Sequence, residues 1–117
     1  MLNDLEVAKF DHVYICCGRS DLRKGIDGLV AIISENMKLD PFSHSLFLFC
    51  GSRKDRIKAI TYEGDGFLLC YKRVACGSFH WPRNPEEARN LTQEDFDLLM
   101  HGRDIEPGIR KFKPSII

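Results

Sequence analysis

Ser45-Leu-Phe-Leu-Phe-Cys50, Arg56-Ile-Lys-Ala-Ile-Thr-Tyr-Glu63, Gly64-Asp-Gly66 and Phe67-Leu-Leu-Cys-Tyr-Lys-Arg-Val74 follow one another, with the polar turn Gly51-Ser-Arg-Lys-Asp55 after the first. The six-residue apolar run reads as a buried strand. The second run alternates, with Ile57, Ala59 and Thr61 on one side and Arg56, Lys58, Ile60 and Tyr62 on the other. That period of two belongs to a strand. Gly64-Asp65-Gly66 supplies the residues that tolerate the positive φ of a tight hairpin. Phe67–Val74 then returns as a further strand, and Ser78-Phe-His-Trp81, stopped by Pro82, adds a short one. The middle of the chain is an antiparallel meander.

Working outward, Val13-Tyr-Ile-Cys-Cys17 is a short β-rich run closed by Gly18. Ser20 stands where a helix N-cap belongs, and Asp21 suits the positive helix end. Leu22, Ile26, Leu29, Val30, Ile33 and Met37 recur at three- and four-residue steps, which predicts a helix over Leu22–Met37. Gly25 and Gly28 inside it each cost about 1 kcal/mol relative to Ala, which implies close approach of backbone or ligand on that side. On the C-terminal side, Pro85-Glu-Glu-Ala-Arg89 reads as the first turn of a short helix. Thr92-Gln-Glu-Asp95 resembles a capping box, with Phe96, Leu99 and Met100 as its apolar face and Gly102 as C-cap. The fold class is therefore α+β: a single antiparallel sheet of four to five strands, one main helix packed on a face, and a short C-terminal helical segment. One domain is expected over 1–117, with 108–117 a flexible basic tail.

The 117 residues, 44% of them hydrophobic, suit one globular domain and are too apolar for a disordered chain. Ser45–Cys50 is far short of the ~20 residues that span a bilayer. The opening Met-Leu-Asn-Asp-Leu-Glu lacks the basic start and apolar core of a signal peptide, so a cytoplasmic setting and no membrane contact are expected. Five cysteines, an odd count with Cys16 and Cys17 adjacent, suit buried free thiols better than a disulfide framework.

Seventeen basic and seventeen acidic side chains cancel, but unevenly. Residues 51–83 carry seven basic against three acidic, while 84–107 carry two basic against seven acidic. Zinc would want paired short spacings, which Cys70, Cys76 and His80 do not provide, so no metal or other cofactor is expected. No Cys stands in a glycine-rich elbow, and Gly25-Ile-Asp-Gly28 is no phosphate loop, so no catalytic residues are assigned. Nucleic-acid binding fits better. Arg53, Lys54, Arg56, Lys58, Lys72, Arg73 and Arg83 can track phosphates, with Tyr62, Tyr71, Phe79 and Trp81 interleaved as stacking groups. Of these aromatics, Trp81 is the stacking or wedge candidate. Arg23 and Lys24 beside the glycines are secondary candidates. The alternative, aromatics in the core and cations keeping an edge soluble, stays open at this point.

The segments Cys17-Gly-Arg-Ser-Asp-Leu-Arg-Lys-Gly-Ile-Asp-Gly-Leu29, Asp40-Pro-Phe-Ser-His-Ser-Leu-Phe-Leu-Phe49, Gly51-Ser-Arg-Lys-Asp-Arg-Ile-Lys58, Gly64-Asp-Gly-Phe67, Tyr71-Lys-Arg73 and Phe79-His-Trp-Pro82 resemble a known family. It is that of the TnpB accessory proteins, the small second-frame proteins of the bacterial insertion-sequence family numbered sixty-six. The match runs in order over about residues 10–100. The chain departs from the family pattern in Cys16, Cys70 and Cys76, and in Tyr62 where Trp is common. It is too short for the unrelated RNA-guided nucleases of the same name and lacks their cysteine-paired zinc knuckle. The resemblance implies an accessory protein of transposition without catalysis of its own, encoded beside a larger transposase. DNA at the transposon ends and that transposase are the expected partners, and a homodimer remains open. The alternative function is a protein-interaction module that bridges transposase subunits without touching DNA, its acidic 86–106 segment docking a basic partner.

Overall fold

All six residues of β2, Ser45–Cys50, are buried, because a separate apolar layer lies against each face of the sheet. The computed structural model describes residues 2–84 and 92–100. Its sheet runs β1 (His12–Ile15), β2, β3 (Arg56–Tyr62), β4 (Phe67–Arg73) in that spatial order. Alternation splits β2 between the layers. Phe47 and Phe49 join Ile60, Leu29 and Ile33 on one face. Leu46, Leu48 and Cys50 join Ile57 and Ala59 on the other, under Leu2, Phe79, Trp81, Phe96, Leu99 and Met100.

The α+β class holds, as do the antiparallel pairings of β2 with β3 and of β3 with β4, the latter joined at Gly64-Asp65-Gly66, where Gly64 has φ +94°. The first strand departs from an all-antiparallel sheet: β1 runs parallel to β2, His12 opposite Ser45 and Ile15 opposite Leu48. The connection from 16 to 44 contains a helix, and such a crossover brings the chain back to start its next strand in the same direction.

That helix is shorter than its apolar stripe. α1 spans Ile26–Ala31 and widens into a π turn over Ile32–Asn36, closed by the Met37 N–H on the Ile32 carbonyl and by Lys38 at φ 58°. Ser20 is not the N-cap; Gly25 is, with no side-chain bond. The Asp21 carboxylate instead accepts the Arg23 N–H at 3.0 Å, and the Ser20 N–H is spent on the Cys50 carbonyl at 2.7 Å. A local Asp-to-backbone bond of this kind competes with helix formation and delays it by one turn. Leu22 and Ile26 nevertheless pack against the Leu29–Ile33 layer, so the stripe predicts the core correctly.

Gly25 has open space at its missing Cβ, whereas a Cβ on Gly28 would lie 2.9 Å from the Lys24 Cβ and 3.1 Å from its Cγ. The close approach is therefore a side chain of the preceding turn. On an open helix Gly→Ala gains about 1 kcal/mol; Gly28→Ala is expected to lower the urea midpoint instead, while Gly25→Ala does not.

The segment 78–81 alternates as a strand would, with Phe79 and Trp81 buried and His80 exposed, but forms no strand. Its neighbours are loops: the Phe79 N–H bonds the Lys54 carbonyl, and the Gly18 N–H bonds the Pro82 carbonyl. The C-terminal helix α2, Gln93–Met100, starts with the predicted reciprocal cap. The Asp95 N–H reaches Thr92 Oγ1 at 3.0 Å and the Thr92 N–H reaches Asp95 Oδ2 at 3.3 Å. Gln93 ties α2 to the N-terminal 3₁₀ turns Leu2–Asp4 and Val7–Lys9, accepting from the Val7 N–H and donating to the Leu5 carbonyl. The expected turn at 85–89, the Gly102 cap and the tail 108–117 lie outside the described residues.

None of the five cysteines is disulfide-bonded, and burial pushes the Cys50 thiol up to about 11. Cys76, expected to be buried, is exposed in the turn after β4, and Cys16, Cys17 and Cys70 are only half-buried. No helix among the described residues is long and apolar enough to cross a membrane.

Candidate nucleic-acid interface

On the α1 side of the sheet, β3 and β4 present a graded series of cross-strand pairs. Arg56 faces Arg73, Lys58 faces Tyr71, Ile60 faces Leu69, and Tyr62 faces Phe67. The last pair joins Phe42 in an aromatic trio with centroids 5.0–5.3 Å apart. The α1 layer seals Ile60 and packs on Leu69, but the helix is too short to reach the first two pairs. The cationic corner of the sheet is left open, and Tyr71 is 54% exposed.

Two loops wall this corner. The stretch from Gly18 to Lys24 forms one, brought close by the Ser20–Cys50 backbone bond. The β2–β3 turn forms the other, wound tightly by the Lys54 N–H on the Gly51 carbonyl with Lys54 at φ 61°. The result is a groove of about 890 Å³ lined by Arg19, Arg23, Arg53, Arg56 and Lys58, with Tyr71 and Leu69 in its floor. Lys58 joins floor to wall: its Nζ donates to the Lys24 carbonyl at 2.9 Å and stands 5.7 Å from the centre of the Tyr71 ring.

Two aspartates orient two of the guanidinium groups. Arg23 Nε and Nη2 donate to Asp21 Oδ1 and Oδ2, both at 3.0 Å. Arg56 Nε donates to Asp55 Oδ1 at 3.0 Å and Nη2 to Oδ2 at 3.4 Å. The Arg23 bond draws the Asp21 carboxyl down to about 2. Its folded value lies below the ordinary 3.8, so the fork is complete above that pH and is lost only as pH falls through about 2. Asp55 is lowered by Arg56 in the same way, and Arg56 is raised by Asp55 first and then by neighbouring Tyr71. With five cations against two carboxylates, the groove keeps a net positive charge. Such a surface attracts anions, and planar guanidinium forks suit phosphate in particular.

The residues singled out in the sequence separate into groups. Arg53, Arg56, Lys58 and Arg23 converge in the groove. Arg73 lies opposite Arg56 on β4. Lys54 and Arg83 line a smaller depression of about 230 Å³ that shares Arg19 with the groove. Lys24 contributes its carbonyl rather than its ammonium. Lys72 projects from the opposite face and binds Asn3 Oδ1 and the Met100 carbonyl at the end of α2, where burial lowers its pKa. Trp81 is 4% exposed, and its Nε1 donates to the Cys16 carbonyl at 2.9 Å. Its ring is filled against the core, as is Phe79, so neither offers a face to a base. Arg19 was missed because it sits in the first half of the chain, where acidic residues outnumber basic ones, and no motif there marks it. Among the described residues no three His, Cys, Asp or Glu side chains converge as a metal ion would need.

A family model described as "IS66 Orf2 like protein" matches residues 11–109, which include every cation of the groove. Two proteins of Sinorhizobium fredii (strain NBRC 101917 / NGR234) are similar to the chain. The uncharacterized protein y4jC is 34% identical over 84 residues, 72% of each chain. The uncharacterized protein y4hO is 33% identical over 103 residues, 88% of this chain and 90% of its own. No solved structure matches the chain significantly.

Proposed function

The chain belongs to the IS66 Orf2-like family, accessory proteins of an insertion sequence, and from that premise we propose that it serves transposition by holding DNA in the groove between Arg19 and Tyr71. The observation that carries this reading is convergence. Arg19 and Arg23 come from one loop, Arg53 from another and Arg56 and Lys58 from a strand, yet all line one concavity beside an exposed aromatic ring. Core packing alone gives no reason to collect five cations there, and phosphate recognition does. The protein contributes binding and no catalysis of its own. The larger transposase of the same element supplies the chemistry in the bacterial cytoplasm, with DNA at the transposon ends as the shared partner. A second reading, a bridge between transposase subunits, draws on the exposed Glu94 and Asp95 of α2, which complement a basic partner.

Fluorescence anisotropy tests the first reading. A labelled oligonucleotide carrying the element's terminal repeat, in duplex and single-stranded form, is titrated against scrambled controls over a salt series. Binding that weakens with salt supports it, with a logarithmic slope of roughly −0.7 to −0.9 per phosphate contact. Absence of binding to every oligonucleotide at low salt overturns it. Co-purification with the transposase from nuclease-treated lysate would then favour the bridge.

A further inference from the structure

We infer that the groove takes a single strand rather than a duplex, with one base stacked on Tyr71 and the flanking phosphates held by Arg53, Arg56 and Arg19; this rests on the DNA-binding reading above. The arrangement of the ring is the main argument. Tyr71 lies in the floor of the groove, 54% exposed, with cations on the walls around it. In a duplex the base faces are stacked on one another and only their edges reach the grooves, so a ring in such a floor would find nothing to stack on. A separated strand offers those faces, and a cationic channel with an aromatic platform is the combination that single-strand binders use.

The elements that carry the cations make the same point. Reading a duplex through its major groove takes a helix or ribbon that enters a space about 12 Å wide. Here the groove cations belong to two loops and one corner of the sheet, and α1 supplies none of them. The described outer side of α2 carries Glu94 and Asp95, which repel phosphate. Leu69 adjoins Tyr71 in the floor and gives apolar contact for a sugar or a neighbouring base.

Lys58 sets the platform. Its ammonium is anchored on the Lys24 carbonyl and stands over one face of the Tyr71 ring, which restrains the ring, so the base stacks on the opposite face. A pre-placed ring loses little conformational freedom on binding, which favours affinity. Sequence selectivity is not expected from the stack itself, because every base has a π-face.

The experiment is a competition by anisotropy between a labelled oligo(dT) and an unlabelled blunt hairpin duplex of equal phosphate number, using the full chain and the variants Tyr71→Ala, Tyr71→Phe and Arg53→Glu. Circular dichroism melting confirms that each variant is folded. The wild type is expected to prefer the single strand at least tenfold. Tyr71→Ala is expected to weaken single-strand binding roughly five- to hundredfold with an unchanged salt slope. Tyr71→Phe retains affinity, and Arg53→Glu flattens the slope. Equal or tighter duplex binding overturns the inference. So does a Tyr71→Ala protein that binds the single strand as wild type does, and if Arg53→Glu still weakens binding, the phosphate reading survives that result. No binding to either probe removes both.

Discussion

Replacing Trp81 with alanine is expected to destabilise the fold by about 3–5 kcal/mol, the range for deleting a large buried aromatic. The ring is 4% exposed and belongs to the buried layer that also holds Phe79, Leu48 and Phe96, so its removal leaves a cavity in that layer. It also leaves the Cys16 carbonyl without its indole donor. A domain of this size is usually stable by only about 5–15 kcal/mol, so the loss is a large share of the total. Urea denaturation followed by far-ultraviolet circular dichroism reads it as a lower midpoint at similar slope. Trp81→Phe separates the two contributions: it keeps most of the packing, loses the hydrogen bond, and is expected to cost about 1–3 kcal/mol. The folded Phe variant should bind nucleic acid within about twofold of wild type, because the indole lends no stacking face in this fold. A tenfold loss of affinity in that variant would return Trp81 to the binding surface.

The second large effect is electrostatic. Arg19→Glu combined with Arg53→Glu reverses one exposed cation on each wall of the groove and touches no core residue. Affinity for single-stranded DNA at low salt is expected to fall by roughly a hundredfold, and the logarithmic salt slope to flatten by about 2. The thermal midpoint should hardly move, since substitutions of this kind at the surface usually change stability by less than about 0.5 kcal/mol. Lys9→Glu, on the 3₁₀ turn beside Glu6, is the control for net charge and should leave the slope near wild type. If the control weakens binding as much per charge as the groove variant, attraction to DNA is spread over the whole surface rather than located in the groove.

Local signals were legible in the sequence and non-local ones were not. The β2 run, the alternation of β3 and the Gly64-Asp65-Gly66 turn place three of the four strands, because strand period and hairpin chemistry act between near neighbours. The Thr92–Asp95 cap was legible for the same reason. The parallel pairing of β1 was not, since it depends on where a 29-residue connection returns the chain. The helix start was misread because the Ser20 hydroxyl goes to the Cys16 thiol rather than accepting a helix N–H, and the Asp21 carboxylate is held by Arg23.

The site followed the same division. The basic character of 51–83 was plain, and Arg53, Arg56 and Lys58 lie where that character suggests. The role of Trp81 was not, because aromatics interleaved with cations look alike whether they face inward or outward. Only the burial of Phe79 and Trp81 in the core, and the openness of Tyr71 beyond the reach of α1, separate core rings from platform rings. Arg19 reaches the groove through the Ser20–Cys50 bond between distant segments, and no spacing in the sequence announces that.

The way the last helix fastens to the first turns has a bearing on how the protein is made. Gln93 holds Val7 and Leu5, and the Lys72 ammonium holds Asn3 and Met100 together. Residues 3–7 cannot take these seats until residues 93–100 have emerged from the ribosome. The α1 side of the sheet can close before α2 is made, but the layer over Leu46, Leu48, Ile57 and Ala59 stays incomplete until Phe96, Leu99 and Met100 join it. A nascent chain stalled before residue 93 would therefore carry one finished face and one adhesive one, the kind of intermediate on which chaperones act.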